Sequence, residues 1–139
     1  MATPADLARR LIGAAKDDEL AARSILPIEG IADTIVGFHA QQATEKAIKA
    51  VLAANGIRFP FIHDLESLIE LCRDSKIEVP SILDGAKALT PFAATERYGS
   101  VVPIGLDRNR ALEWAVAAIE WAQPLVDRCD PGHTPAPSS

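Results

Sequence analysis

The sequence predicts an all-α fold, an up-and-down bundle of about five helices, and three observations carry that reading. Apolar residues recur at three- and four-residue intervals through most of the 139 positions, the period of a helix with one face in a core. Breakers separate these stretches at Pro27 and Gly30, at Asn55-Gly56 and at Pro80. Capping residues, Thr3, Asp64, Ser81 and Asp107, stand at the heads of four of them. Val101-Val102 is a short β-prone pair in a loop, and no alternating strand pattern of useful length accompanies it.

Taken in order, Thr3-Pro4-Ala5-Asp6 combines a capping hydroxyl, proline at the first helical position and a carboxylate at the third. The first helix follows, with Leu7, Leu11, Ala14, Ala15, Ala22 and Ile25 at helical spacing until residues 26–30. The second, residues 31–54, is rich in alanine and stops at Asn55-Gly56, a pair suited to a left-handed cap. Its stripe Val36, Ala40, Ala43, Ala47, Val51 and Ala54 has small side chains that permit close approach of a neighbour. Gln41, Glu45 and Lys49 form a polar stripe expected to meet water or a partner, with Glu45 and Lys49 ordered for an ion pair.

Asp64 opens a third helix through Leu65, Leu68, Ile69 and Cys72, ending near Ser75. Ser81 opens a fourth with Ile82, Leu83, Ala86, Leu89 and Ala93, in which Pro91 should cause a kink or an early end. Asp107 opens a fifth through Leu112, Ala115, Val116, Ile119 and Ala122, with Pro124 disturbing its last turns. Residues 1–129 then form one helical domain. The Pro-Gly-His-Thr-Pro-Ala-Pro-Ser-Ser composition after Asp130 predicts a disordered tail over 130–139.

Composition narrows the function. Apolar residues make up 48% of the chain, enough to bury a core without staples. No apolar run reaches the roughly 20 residues of a membrane span and the first residues lack a basic flank with an apolar signal core, so a cytoplasmic protein is expected. Cys72 and Cys129 stand far apart and read as free thiols. A net charge of −5 repels phosphate backbones, which disfavours DNA as a partner.

The run Phe38-His-Ala-Gln-Gln-Ala-Thr-Glu-Lys-Ala-Ile-Lys-Ala-Val-Leu, followed by His63-Asp64-Leu65 and by Arg97-Tyr98 ahead of the last helix, resembles the HEPN family of prokaryotic helical domains. The likeness extends from the first helix to about residue 126. It implies a helical bundle, frequent homodimerisation, and pairing with a minimal nucleotidyltransferase, often as toxin and antitoxin. Some members of the family are metal-independent ribonucleases that use an arginine followed after four to six residues by a histidine.

Arginine and histidine suit that chemistry, because a guanidinium can stabilise phosphate charge while an imidazole moves a proton near neutral pH. Arg58 with His63 and Arg128 with His133 satisfy the spacing, which chance readily supplies in a chain with this many arginines. His133 falls in the tail. Arg58 and His63 are therefore the candidate catalytic pair, and His63 can equally serve to orient its loop at the Asp64 cap. Arg97 stands nearer the expected place, but Val102 occupies the position a histidine would need; a histidine from elsewhere, His39 or His63, would have to complete it.

His39, Gln41, Gln42, Glu45, Lys46, Arg97 and Tyr98 are the candidate ligand-binding residues, able to line a polar groove for a nucleotide or to form a solvated face. His39 reads alternatively as a hydrogen-bonded core or interface histidine. Trp114 and Trp121, seven apart on one helix face, read as core or dimer contacts. The acidic run Asp17-Asp18-Glu19 reads as solvent-facing. No metal or cofactor motif is present. The sequence thus points to a homodimeric bundle that works with a nucleotidyltransferase-type protein and binds a nucleotide, with a ribonuclease toxin acting on RNA as the alternative.

Overall fold

The fold was described in a computed structural model covering residues 3–93 and 105–129. Arg97, Tyr98, Val101, Val102, His133 and the expected tail lie outside the described residues. Helices α1 (Pro4–Ile25), α2 (Asp33–Ala54), α3 (Leu65–Asp74) and α4 (Arg108–Cys129) are joined by a 3₁₀ helix over Ser81–Phe92. No described helix is long and apolar enough to cross a membrane.

The α1 start is held as the sequence indicates: the Asp6 amide donates to Thr3 Oγ1 at 3.1 Å and the Thr3 amide to Asp6 Oδ2 at 3.0 Å. These two bonds satisfy amides that a helix start otherwise leaves bare. They also hold the Asp6 carboxyl below the usual carboxylate range, the Thr3 amide being the main cause. At the other end of the hairpin α2 closes on Gly56, whose φ of 69° accommodates the left-handed turn, while the Ile57 amide reaches back to the Leu52 carbonyl at 2.9 Å.

Helix α2 is the axle of the bundle. Fourteen of its 22 residues are buried, so it has no water-facing side along most of its length. Helices α1 and α4 flank it, and α3 with the 3₁₀ helix covers the remaining face. Arg108 binds Asp33 at 2.6 Å and the Ile31 carbonyl, which pins the start of α4 to the start of α2. Leu125 and Arg128 lie near Asn55 at the other end, so α4 runs parallel to α2. The chain returns between them along the 3₁₀ helix, from Pro80 beside Asn55 to Phe92 on Gly37.

Alanine makes the helix seams. Ala8 and Ala15 of α1, Ala40, Ala43, Ala47 and Ala50 of α2, and Ala111, Ala115, Ala118 and Ala122 of α4 are all fully buried. Small side chains let the helix backbones approach closely. The larger aliphatic residues expected in the core are displaced to the edges: Leu7 and Ile82 are exposed, and Leu11, Leu112, Val116 and Ile119 are half-buried. In α1 the buried line is Ala5, Ala8, Ile12, Ala15 and Ala22.

The fourth helix departs from the expected α geometry. Its buried residues, Leu83, Ala86, Leu89 and Phe92, recur every three residues, the period at which 3₁₀ side chains stack in line. Pro91, which has no amide to give, is tolerated near its end. Ser81 makes no side-chain cap, and Asp64 accepts from the Ser67 hydroxyl at 2.6 Å without capping an α3 amide. Asp107 does cap, accepting from the Arg110 amide at 3.0 Å. Helix α4 continues through Pro124 to Cys129. Cys72 is buried on α3, and burial pushes its thiol up to about 11, so it packs as a neutral apolar side chain.

Both tryptophans are used within the chain. Trp114 lies over Gly85 and Trp121 Nε1 donates to the Glu78 carbonyl at 3.0 Å.

Close packing makes two glycines respond oppositely to a methyl group. A Cβ at Gly37 would lie 2.4 Å from Phe92 Cδ1, whereas nothing stands within 4 Å of one at Gly13. Gly37→Ala should lose about 1–3 kcal/mol to overpacking, more than the ~1 kcal/mol that alanine gains over glycine inside a helix. Gly13→Ala should gain up to ~1 kcal/mol from that same propensity. Urea melts of both variants check this pair; a Gly37→Ala chain as stable as its parent would mean that Phe92 moves aside freely.

Candidate functional site

Because α2 is surrounded, its polar stripe cannot be hydrated and must find partners inside the protein. Gln41 and Glu45 are 0% and 4% exposed and Lys49 is 8% exposed, which corrects the expectation of a face meeting water. The segment between α2 and α3 lies over this stripe. Glu45 Oε1 accepts from Gln41 Nε2 at 2.9 Å and from His63 Nδ1 at 2.8 Å, and Oε2 accepts from Lys49 Nζ at 3.0 Å. Gln41 Nε2 also donates to the His63 carbonyl at 3.3 Å, and Gln42 Nε2 to Gln41 Oε1 at 2.7 Å.

Burial alone would raise the Glu45 pKa; the hydrogen bonds from Gln41, His63 and Lys49 outweigh it and hold the carboxyl below its ordinary value. A carboxylate only accepts, so His63 carries its proton on Nδ1 and presents Nε2 outward. The His63 side chain is 62% exposed. Lys49 completes the wall, its ammonium 5.7 Å from the centre of the Phe59 ring.

A second cluster ties α1 to α2. Asp18 Oδ1 lies 3.0 Å from His39 Nδ1 and Asp18 Oδ2 2.6 Å from Lys46 Nζ, with the Asp18 side chain 14% exposed. The acidic run is therefore only partly solvent-facing: its middle residue is an inter-helix anchor, while Glu19 pairs with Arg23. His39 takes the hydrogen-bonded helix-contact role, with the Phe38 ring edge-on at 5.3 Å.

The candidate residues thus separate. Gln41, Gln42, Glu45 and His63 come together in one network, and His39 and Lys46 in another. Arg58 is exposed and lines a groove with Phe59 and Phe61; among the described residues it has no hydrogen-bond or ion-pair partner, so nothing links it to His63. Arg97 and Tyr98 lie outside the described residues. Arg128 is exposed in the last turn of α4, and His133 is likewise outside them. Among the described residues no group of three or more His, Cys, Asp and Glu could hold a metal ion.

The sequence shows Asp18 only as part of an acidic run, and it gives Thr90 no role. Thr90 Oγ1 accepts from the Leu65 amide at 3.3 Å, serving the α3 start from another element. The pairing of Asp18 with His39 and Lys46 on α2 leaves no one-dimensional signal, because the partners lie 21 and 28 positions away.

Removing the Glu45 charge should expose how much the network holds. Glu45→Ala leaves Lys49 buried without its counter-ion and should cost about 3 kcal/mol. The parent's contribution from this carboxylate is present above the ordinary value of 4.5 and is lost as pH falls through the lower folded value. Melts from pH 7 to 3 should therefore show the parent falling toward Glu45→Gln below pH ~4.5; parallel curves for the two chains would mean that Glu45 is not coupled to folding.

No curated protein and no solved structure matches the chain. The model of the HEPN domain matches residues 8–128, from the second turn of α1 to the last turn of α4. With that match spanning every helix, and with the polar residues of the α2 run engaged in holding the bundle together, the chain belongs to the HEPN domain family.

Proposed function

We propose that this HEPN protein acts by association, as a homodimeric bundle that works with a nucleotidyltransferase-type partner and has no catalytic activity of its own. The observation that carries the reading is the internal commitment of its polar signature: Gln41, Glu45, Lys49 and His63 satisfy one another, as do Asp18, His39 and Lys46. Groups spent in this way anchor helices and a loop. A nucleotide would meet only the half-buried His39, Gln42 and Lys46 of the α2 run.

Support for a second copy comes from the face shared by α1 and α4. Leu20 is 52% exposed beside Val116 and Ile119, and both signs of charge border them, Lys16 and Arg23 with Asp17, Glu19 and Glu120. An apolar centre with a mixed rim is self-complementary, as a two-fold interface requires. Co-expression with a nucleotidyltransferase encoded beside this chain should give one co-eluting complex, and light scattering of the chain alone should give twice the mass of one copy. A monomer that leaves the nucleotidyltransferase in the flow-through would overturn the associative reading.

A specific geometry favours a second reading, a metal-independent ribonuclease toxin of a toxin–antitoxin pair. A carboxylate holding Nδ1 of a solvent-open histidine is how a proton-transferring imidazole is oriented, and Glu45 stands so to His63. The arginine partner, Arg58, has no contact with it. We expect His63→Ala to lower stability by about 1 kcal/mol, the weight of one hydrogen bond, without abolishing any RNA cleavage seen in purified material. Cleavage assays with a chelator on the parent, Arg58→Ala, Arg97→Ala and His63→Ala, run beside melts, separate the two roles. Robust parental cleavage that vanishes in His63→Ala, with the melt unchanged, would put the ribonuclease first.

A further inference from the structure

Loop 57–64 does more than cover the α2 stripe: Ile57, Phe59 and Ile62 pack partly against the core, while Phe61 is turned outward. Phe61 is 103% exposed, an apolar ring wholly in water. It stands on one wall of a groove of about 720 Å³ between this loop and the first turns of α1. Leu7, itself 39% exposed, forms the facing wall, and Leu11, Ala53, Ile57 and Phe59 the floor. Isolated apolar side chains on a surface need no explanation, but a contiguous concave set does.

The charge around the groove is one-signed. Arg10, Arg58 and Lys49 line it, and among the described residues no carboxylate does. Lys49 is committed to Glu45, while among the described residues Arg10 and Arg58 have no partner. Two free guanidinium groups beside an aliphatic and aromatic trough stand out in a chain whose net charge is −5.

We propose that this groove receives an acidic amphipathic helix of a partner protein, its apolar face on Leu7, Ile57, Phe59 and Phe61 and its carboxylates on Arg10 and Arg58. The proposal rests on the associative reading above and gives the partner a surface. An aliphatic floor suits leucine-type anchors at helical spacing, and guanidinium forks pair with carboxylates in two-point fashion. A groove-to-groove contact with a second copy is disfavoured, since among the described residues the lining carries no carboxylate to meet Arg10 and Arg58 of the other copy. RNA is disfavoured by the acidic chain and by the small number of free cations, because polyphosphate binding is built from many such contacts.

The probe is a fluorescein-labelled amphipathic peptide with leucines at helical spacing and glutamates elsewhere, titrated with the full chain by anisotropy. Its control carries lysine in place of every glutamate. The acidic peptide should bind saturably and at least about tenfold tighter than the basic one, weakening as salt screens the arginines. Phe61→Ser and Arg58→Glu, both at exposed positions, should each weaken it by about tenfold or more, a loss typical of an anchor residue, with unchanged circular dichroism.

Equal binding of the two peptides, or an acidic peptide indifferent to both substitutions, overturns the proposal. So does self-association that Phe61→Ser abolishes, or tighter binding of an oligoribonucleotide than of the acidic peptide, since either result gives the groove to another occupant. Repeating the nucleotidyltransferase co-expression with Phe61→Ser separates the two levels. A partner kept by both chains overturns the groove alone, and a partner lost from the parent as well overturns the reading it rests on.

Discussion

The arrangement depends on one buried carboxylate. Helix α2 is buried along most of its length, and an ionised Glu45, 4% exposed in its middle, is tolerable only with its oxygens fully bonded. Gln41 and Lys49, one turn before and one turn after, supply two of those bonds from the same helix. The third comes from His63, 18 positions on. That bond, together with the Gln41 link to the His63 carbonyl, decides where the chain lies between α2 and α3. The position of α3, the outward turn of Phe61 and the mouth of the groove beside α1 all follow from where that loop is fastened.

Alanine seams set a second constraint. Close helix approach gains contact between backbones but buries little side-chain area per residue, so along α1 and α4 most of the larger aliphatic residues stand at the seam edges, while Ile48 and Leu52 of α2 and Leu65, Leu68, Leu83 and Leu89 fill the core beside the seams. Two features that could have met a second copy are consumed within one chain. The small-residue stripe of α2 is covered by α1 and α4, and the tryptophans of α4 are occupied by Gly85 and the Glu78 carbonyl. Among the described residues the edge surfaces open to association include Leu20 with Val116 and Ile119 under a mixed-charge rim, and the groove at Phe61 under a positive one.

Much of the fold was legible because the signals were local. Thr3-Pro4-Ala5-Asp6 started α1 where a capping box stands, Asn55-Gly56 ended α2 on a left-handed glycine, and Asp107 capped α4. Legibility failed where size was mistaken for burial. Leu7, Leu11, Val116 and Ile119 were expected inside, and Ala5, Ala8, Ile12 and Ala118 are there instead. The 3₁₀ helix was hidden by reading Leu83, Ala86 and Leu89 together with Ile82 and Ala93 as one α-helical face, although Phe92 completes a strict period of three. At the site, the Glu45–Lys49 pair was readable from its spacing, whereas the burial of Gln41 and Glu45 and the partnership of Asp18 with His39 and Lys46 depend on how helices pack.

The same packing bears on what the signature run encodes. Phe38 to Lys49 contains histidine, glutamines, a glutamate and lysines, the residue types of a ligand site, and in this chain nearly all of them bind other protein groups. A polar run that is present because a buried helix must satisfy itself looks, in one dimension, the same as a run that contacts a substrate. The two differ in where lone pairs and protons end. At Glu45 both oxygens are engaged by the protein, while the second ring nitrogen of His63 makes no hydrogen bond among the described residues. Arg58 lines the groove with Phe59 and Phe61 and makes no hydrogen bond to His63, so among the described residues the carboxylate–histidine pair is fastened to the bundle and to no arginine.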